Sequence, residues 1–142
     1  MTETITQIQD DIIKEFSDLQ DWFDKYEYLI KLGKSLESID ESIRMEDYSI
    51  GGCQSQVWMK AEQKNNIVHY QIDSDSIIVK GMISLLLRVL NDQRPADIMS
   101  TNLYFIEKIG LRSHLSPTRS NGLVSIINQI KEYAKDFEIY IR

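Results

Sequence analysis

The chain has 142 residues, 42% of them hydrophobic and 27% charged, which suits one folded domain, 1–142, with one core. A net charge of -6 and a pI near 4.9 argue against nucleic acid or an anionic membrane as partner, since both need a basic footprint, and suit a basic patch on a protein. One cysteine and two histidines exclude an internal disulfide, a resolving cysteine in the same chain, an all-cysteine metal site and a His-rich site.

Met1-Thr2-Glu3-Thr4 has neither a basic region nor a long apolar run, so no signal or transit peptide is expected. Thr4-Ile5-Thr6-Gln7 has the form of a capping box. Ile5, Ile8, Ile12, Phe16 and Leu19 then recur at helical spacing. A second helix fits Asp21 to Leu36, with Trp22, Tyr26, Leu29, Ile30 and Leu36 on one stripe, after a break near Ser17 to Gln20. Glu37 to Glu46 is mostly polar and reads as a loop.

Tyr48 to Ile50 is expected to form a short first strand that leads into a Gly51-Gly52-Cys53 tip. Gln56 to Glu62 alternates and reads as a second strand, and Gln63 to Asn66 as a turn. Ile67 to Ile72 is the third strand, with Val68, Tyr70 and Ile72 on one face and His69 on the other. The expected fold class is therefore α+β: a small three-stranded antiparallel sheet packed against N-terminal and C-terminal helices.

Asp75 or Ser76 caps a mostly apolar helix running to about Asn91, the expected centre of the core. Lys80, Ser84 and Arg88 interrupt its apolar run, so it is not a membrane span. Arg94-Pro95-Ala96-Asp97 starts a short helix. Asn102 to Ile109 is another, stopped by Gly110. Ser116-Pro117 opens a long helix whose buried face is Leu123, Ile126, Ile127, Ile130, Tyr133 and Phe137. Glu138 to Arg142 reads equally as a frayed helix end or an extended tail.

Cys53 is the first candidate site residue. It lies beyond two glycines rather than inside an apolar run, on a loop able to turn sharply and move. Composition alone does not separate a reactive thiol from an incidental one. No Lys, Arg or His lies within six residues of it, and a strand, not a helix N-terminus, follows. An unperturbed thiol, with a pKa of about 8.5, is only a few per cent thiolate at neutral pH. Activation must come from elsewhere in the fold or from a partner. Gly51, Gly52, Gln54, Ser55 and Gln56 are the supporting loop residues.

Three further residues are candidates for thiol or partner contact. Arg119 places a cation in the first turn of a helix, against the dipole. A solvated or surface-paired arginine and one reaching the cysteine loop are both consistent with that position. His114 lies near a helix start. Asp75 belongs to Asp73-Ser74-Asp75-Ser76, which reads more simply as a strand end and helix cap than as a metal or acid–base pair. No phosphate-binding glycine loop, zinc spacing or serine-nucleophile motif is present, so no metal or cofactor is expected.

Gly52-Cys53-Gln54-Ser55-Gln56-Val57-Trp58 resembles the cysteine motif of the SufE family of sulfur-acceptor proteins. Asp73-Ser74-Asp75 with Ile78-Val79-Lys80-Gly81 is similar to that family's second block. Leu115-Ser116-Pro117-Thr118-Arg119-Ser120 with Gly122-Leu123 is similar to its third. Lys25-Tyr26, Leu29-Ile30 and Leu32-Gly33 add an early segment, and the order holds over roughly Trp22 to Ala134. Phe137 to Arg142 has no counterpart.

The resemblance implies a small α+β fold shared with iron–sulfur scaffold proteins. It implies a non-enzymatic carrier that takes sulfur onto Cys53 from the persulfide of a pyridoxal-phosphate-dependent, SufS-like cysteine desulfurase and stimulates that enzyme. The sulfur then passes to an iron–sulfur scaffold complex. One cysteine can carry a sulfur but does not suit holding a cluster alone. The implied setting is the cytoplasm, as monomer or homodimer, which agrees with a reduced lone thiol. The competing reading is a single-cysteine redox sensor or peroxide-reactive protein. That chemistry needs a lowered pKa and activating neighbours, and the local sequence supplies none.

Overall fold

The computed structural model describes residues 4–141, with side chains through Glu138; the leader reading on Met1 to Glu3 and the terminal Arg142 lie outside it. The first helix, α1 (Ile5–Ser17), begins at the expected capping box: Gln7 N–H donates to the Thr4 hydroxyl and Thr4 N–H to the Gln7 side chain. Its face of Ile12 and Phe16 is buried. Asp21 caps α2 (Trp22–Lys34) through Asp24 N–H. Glu15 pairs with Arg88 and accepts from the Tyr28 hydroxyl, tying α1 and α2 to the third helix.

That helix, α3 (Ile77–Leu90), is the centre of the core, with nine buried residues from Ile78 to Leu90. Of the two capping candidates, Ser76 accepts from Val79 N–H. The crossing of α2 over α3 depends on two glycines. A Cβ on Gly33 would lie 2.6 Å from the Ile77 carbonyl oxygen, and one on Gly81 2.3 Å from that of Leu29. The helices touch backbone to backbone.

The sheet corrects the sequence reading. It has two strands, not three: β1 (Val57–Lys64) and β2 (Ile67–Ser74), antiparallel, with Met59 opposite Ile72 and Ala61 opposite Tyr70. The two-residue turn between them holds Asn65 at φ 55° and Asn66 at φ 63°, the left-handed pair that suits the twist of a tight hairpin and that Asn tolerates. The expected strand at Tyr48 to Ile50 shrinks to one bridge, Ser49 with Trp58, and one Ile50 N–H to Val57 carbonyl bond of 3.0 Å. A 3-10 turn at Glu46–Tyr48 precedes it and the Gly51-Gly52 bend follows, leaving too few extended residues for a ladder.

Val57, Met59, Val68, Tyr70 and Ile72 face the helices and are buried. The Tyr70 hydroxyl donates to the Ile130 carbonyl, 2.7 Å away, and burial pushes its pKa far above the usual tyrosine range. The opposite face carries an ion cluster: buried Asp73 meets Arg44 at 2.6 Å and Lys80 at 3.6 Å, joining the Ser35 to Gln56 segment to the end of β2 and to α3.

Beyond α3, α4 (Pro95–Ser100) starts on its proline as expected. The helix expected over Asn102 to Ile109 is only one turn, α5 (Phe105–Lys108). The buried amide of Gln9 on α1 explains this: it donates to the Asn102 carbonyl and accepts from Phe105 N–H, taking the groups a longer helix would use. Gly110, at φ 74°, ends the segment. The last helix, α6 (Pro117–Ile141), starts with Arg119 N–H donating to the Ser116 hydroxyl and buries Leu123, Ile126, Ile130 and Ala134. Of the two readings for the C-terminus, residues 138–141 are helical.

Candidate functional site

The Gly51 to Gln56 loop leaves the sheet and folds down onto the first half of α6. Its base is clamped. Asp75 accepts from Gln56 N–H at 3.1 Å and returns its own N–H to the Gln56 carbonyl at 3.3 Å; the Ser74 hydroxyl donates to that carbonyl at 2.7 Å. Ile50 is fixed on the other side by Val57. Between these anchors the side chains of Gln54, Ser55 and Gln56 make no hydrogen bond among the described residues.

The glycines differ. Gly52 adopts φ 82°, and a Cβ there would meet the Ser125 hydroxyl of α6 at 2.2 Å. Gly51 has open space around it and no positive φ. Only Gly52 is required by the seated loop.

Cys53 is half-buried at the tip, and its thiol donates to the Gly122 carbonyl in α6 at 3.6 Å. Burial pushes the thiol pKa up, and no other influence on it is resolved. At neutral pH the thiol is held protonated. Beneath it lies a cavity of about 20 Å³, walled by Val57, Val79, Met82 and Ile126 and rimmed by Gln54, Ser55, Thr118, Arg119 and Gly122. That is room for roughly one water-sized atom, in apolar surroundings.

The structure thus gathers Cys53, Gln54, Ser55 and Arg119 around one cavity. Arg119 is half-buried and makes no ion pair among the described residues. Asp75 belongs to the loop's base, not to the thiol. His114 is elsewhere: it stacks on Trp22 at 4.0 Å, with its Nδ1 3.0 Å from the Gly110 carbonyl. Sequence reasoning did not assign Val57, Val79, Met82 or Ile126 to the site: Val57 and Val79 stand in the quoted family blocks and Ile126 on the buried face of the last helix, but their apolar character marks all four only as core. It missed Ser125, and it quoted Gly122 only within the third family block without placing it against the loop; both receive the loop. The signals for Gly122 were its place in the third family block and its being a glycine inside an otherwise regular helix.

No helix among the described residues is long and apolar enough to cross a membrane. No cluster of potential metal ligands occurs among them.

Comparison with known proteins places the geometry. A solution structure of a hypothetical protein from Thermus thermophilus superimposes with a TM-score of 0.74, covering 91% of this chain and 94% of that one, at 16% identity, and so establishes the shared fold. An uncharacterized SufE-like protein of Rhizobium etli is 38% identical over 131 residues, covering 89% of this chain and 88% of the relative. One of Rhizobium meliloti is 36% identical, covering 89% of this chain and 94% of its own. The chloroplastic/mitochondrial SufE-like protein 1 of Arabidopsis thaliana is 34% identical over 91% of this chain, which spans 35% of that longer protein. The model of the SufE family, described as an Fe-S metabolism associated domain, matches residues 10–134. The chain belongs to the SufE family.

Proposed function

We infer that this protein is a sulfur carrier that accepts sulfane sulfur on Cys53 from a pyridoxal-phosphate-dependent, SufS-like cysteine desulfurase. It stimulates that enzyme by clearing its persulfide and delivers the sulfur to an iron–sulfur assembly complex, in the cytoplasm. The observation that carries this reading is the placement of Cys53: the tip of a clamped loop, above an apolar cavity with space for about one more atom.

The reaction needs little from the carrier. The Cys53 thiolate attacks the outer sulfur of the donor persulfide. A new S–S bond forms to Cys53 as the donor's S–S bond breaks, and the donor thiolate leaves and takes up a proton. One persulfide replaces another, so no net oxidant or reductant enters. The resting thiol is protonated and its pKa is raised, so deprotonation belongs to the complex, after the loop leaves Gly122 and meets the donor's groups. Back in the seated pose, the outer sulfur would occupy the cavity, away from small thiols. Arg119 at the rim is the cation available to a persulfide anion or to the partner. A peroxide-reactive role fits less well, because that chemistry needs a thiol pKa shifted the other way.

The test is mass spectrometry of the carrier after incubation with the desulfurase, pyridoxal phosphate and cysteine. A gain of one sulfur confined to Cys53, with faster multi-turnover sulfide release, is expected. Wild-type stimulation by a folded Cys53→Ala variant would refute the assignment.

A further inference from the structure

The loop that carries Cys53 has two arms, and both are fastened to one dipeptide. The outgoing arm ends at Gln56, whose carbonyl accepts from the Ser74 hydroxyl at 2.7 Å. The incoming arm runs from Arg44 to Ile50, and Arg44 donates to the Asp73 carboxylate at 2.6 Å. Asp73 and Ser74 are locked to each other, because the other carboxylate oxygen accepts from Ser74 N–H at 2.8 Å. Lys80 of α3 lies 3.6 Å from that same oxygen. Among the described residues from 36 to 52, Cys53's neighbours on the incoming side, only Arg44 hydrogen-bonds through its side chain to a residue outside that stretch.

The pair is poorly built for stability and well built for position. The Asp73 side chain is 2% exposed and that of Arg44 32%, so the carboxylate has given up its water. Arg44 Nε is sealed from solvent without an acceptor. Its remaining nitrogen goes to Glu41, whose side chain is 85% exposed, a contact of little energetic weight. Desolvating such a pair costs much of what its attraction returns. What a short, charge-assisted bond supplies dependably is a fixed geometry.

We propose that Arg44 is a positioning residue for Cys53. Through Asp73 and Ser74 it holds the incoming arm to the point that also holds Gln56, and so sets the pose in which Gly52 rests on Ser125 and the thiol on Gly122. The inference deepens the sulfur-carrier reading and rests on it for the use of that pose. With the arm released, Cys53 leaves its cavity more often, and the thiol or a carried sulfur meets solvent.

Alkylation of Cys53 by iodoacetamide, with no desulfurase present, reads the pose directly. It is followed over a series of low urea concentrations, because local opening of a loop hardly depends on urea and global unfolding does. Arg44→Gln and Asp73→Asn should each speed the urea-independent labelling about tenfold, the weight of one charge-assisted hydrogen bond. The two together should do no more than either alone, since both break one link. Arg44→Lys should restore part of the protection. Glu41→Gln should label as wild type, and so should Lys80→Gln, which frees Asp73 from α3 but not from the arm. A lowered melting temperature in Arg44→Gln without faster native-state labelling would reduce the ion pair to fold stability and overturn the proposal. Equal acceleration by Lys80→Gln would overturn it too. If Arg44→Gln does not fold, Arg44→Lys decides in its place by labelling faster than Glu41→Gln or failing to. Alkylation needs no sulfur donor, so faster labelling would stand even where the persulfide test of the carrier failed.

Discussion

The crossing of α2 with α3 and the loop that carries Cys53 both use glycine, for opposite ends. At the crossing, Gly33 and Gly81 remove side chains so that two backbones can touch, and nothing there can move without opening the core. At the loop, Gly52 lets the chain bend at φ 82° onto Ser125, a contact at the end of one hydroxyl. The first use builds permanence. The second builds a seat that can be left. Proximity of a glycine to the cysteine is therefore not what marks a functional glycine; the kind of neighbour is.

The sharpest way to separate the two regions is to remove the thiol. Cys53→Ala should abolish persulfide loading and desulfurase stimulation while leaving the thermal melt near wild type. The side chain is small, half-buried and outside the α2–α3 crossing. Persulfide mass spectrometry beside calorimetry checks both halves. Gly81→Ala should do the reverse. Its new methyl meets immovable backbone, so a loss of about 3 kcal/mol or more is expected in urea unfolding, with sulfur transfer normal in whatever remains folded.

Gly52→Ala tests the seat itself. The residue would be strained by roughly 1–3 kcal/mol, and lifting the loop relieves that strain without unfolding anything. Alkylation of Cys53 by iodoacetamide should accelerate while the melting temperature changes little. Gly51→Ala, with open space around it, should change neither. Equal behaviour of the two variants would erase the distinction between them.

Much of the fold was legible. The capping box at Thr4, the Ser116-Pro117 start and the alternation of Val68, Tyr70 and Ile72 are local codes, and each folds as written. The failures were tertiary. No local signal says that Gln9 will claim the Asn102 carbonyl and Phe105 N–H and shorten α5, because those partners lie far apart in the chain. The third strand failed for want of length between a 3-10 turn and a glycine bend. At the site, Cys53 stood out because a lone thiol beside two glycines is unusual. Val79 and Met82, which floor the cavity from α3, look like any core residue. His114 illustrates the opposite error: a chemically interesting side chain engaged in stacking on Trp22.

Two smaller effects sharpen the picture of the loop. Arg119→Gln should leave stability within about 1 kcal/mol, since no acid pairs with it among the described residues, yet lower sulfur transfer or desulfurase affinity. Wild-type transfer would reduce Arg119 to a solvated side chain. The thiol's raised pKa gives a pH signature. The seated state binds the thiol proton more tightly than the unfolded chain does, so its contribution to stability is complete below the unfolded thiol pKa, about 8.5. It is lost as pH rises from there through the higher folded value. Wild type and Cys53→Ser should therefore show a constant difference in melting temperature at neutral pH and diverge, to the detriment of wild type, in the alkaline range.

The clamp on Gln56 also sets a ruler. With Ile50 and Gln56 both anchored, Cys53 stands three residues from either post. Three extended residues span roughly 10 Å. A donor sulfur lying deeper than that below the rim of its own protein is out of range, however well the two surfaces match. Lengthening the loop by a residue on each side of Cys53 would trade that depth limit against the fit over Gly122. The geometry of this one strand-end clamp thus selects donors by depth before any chemistry begins.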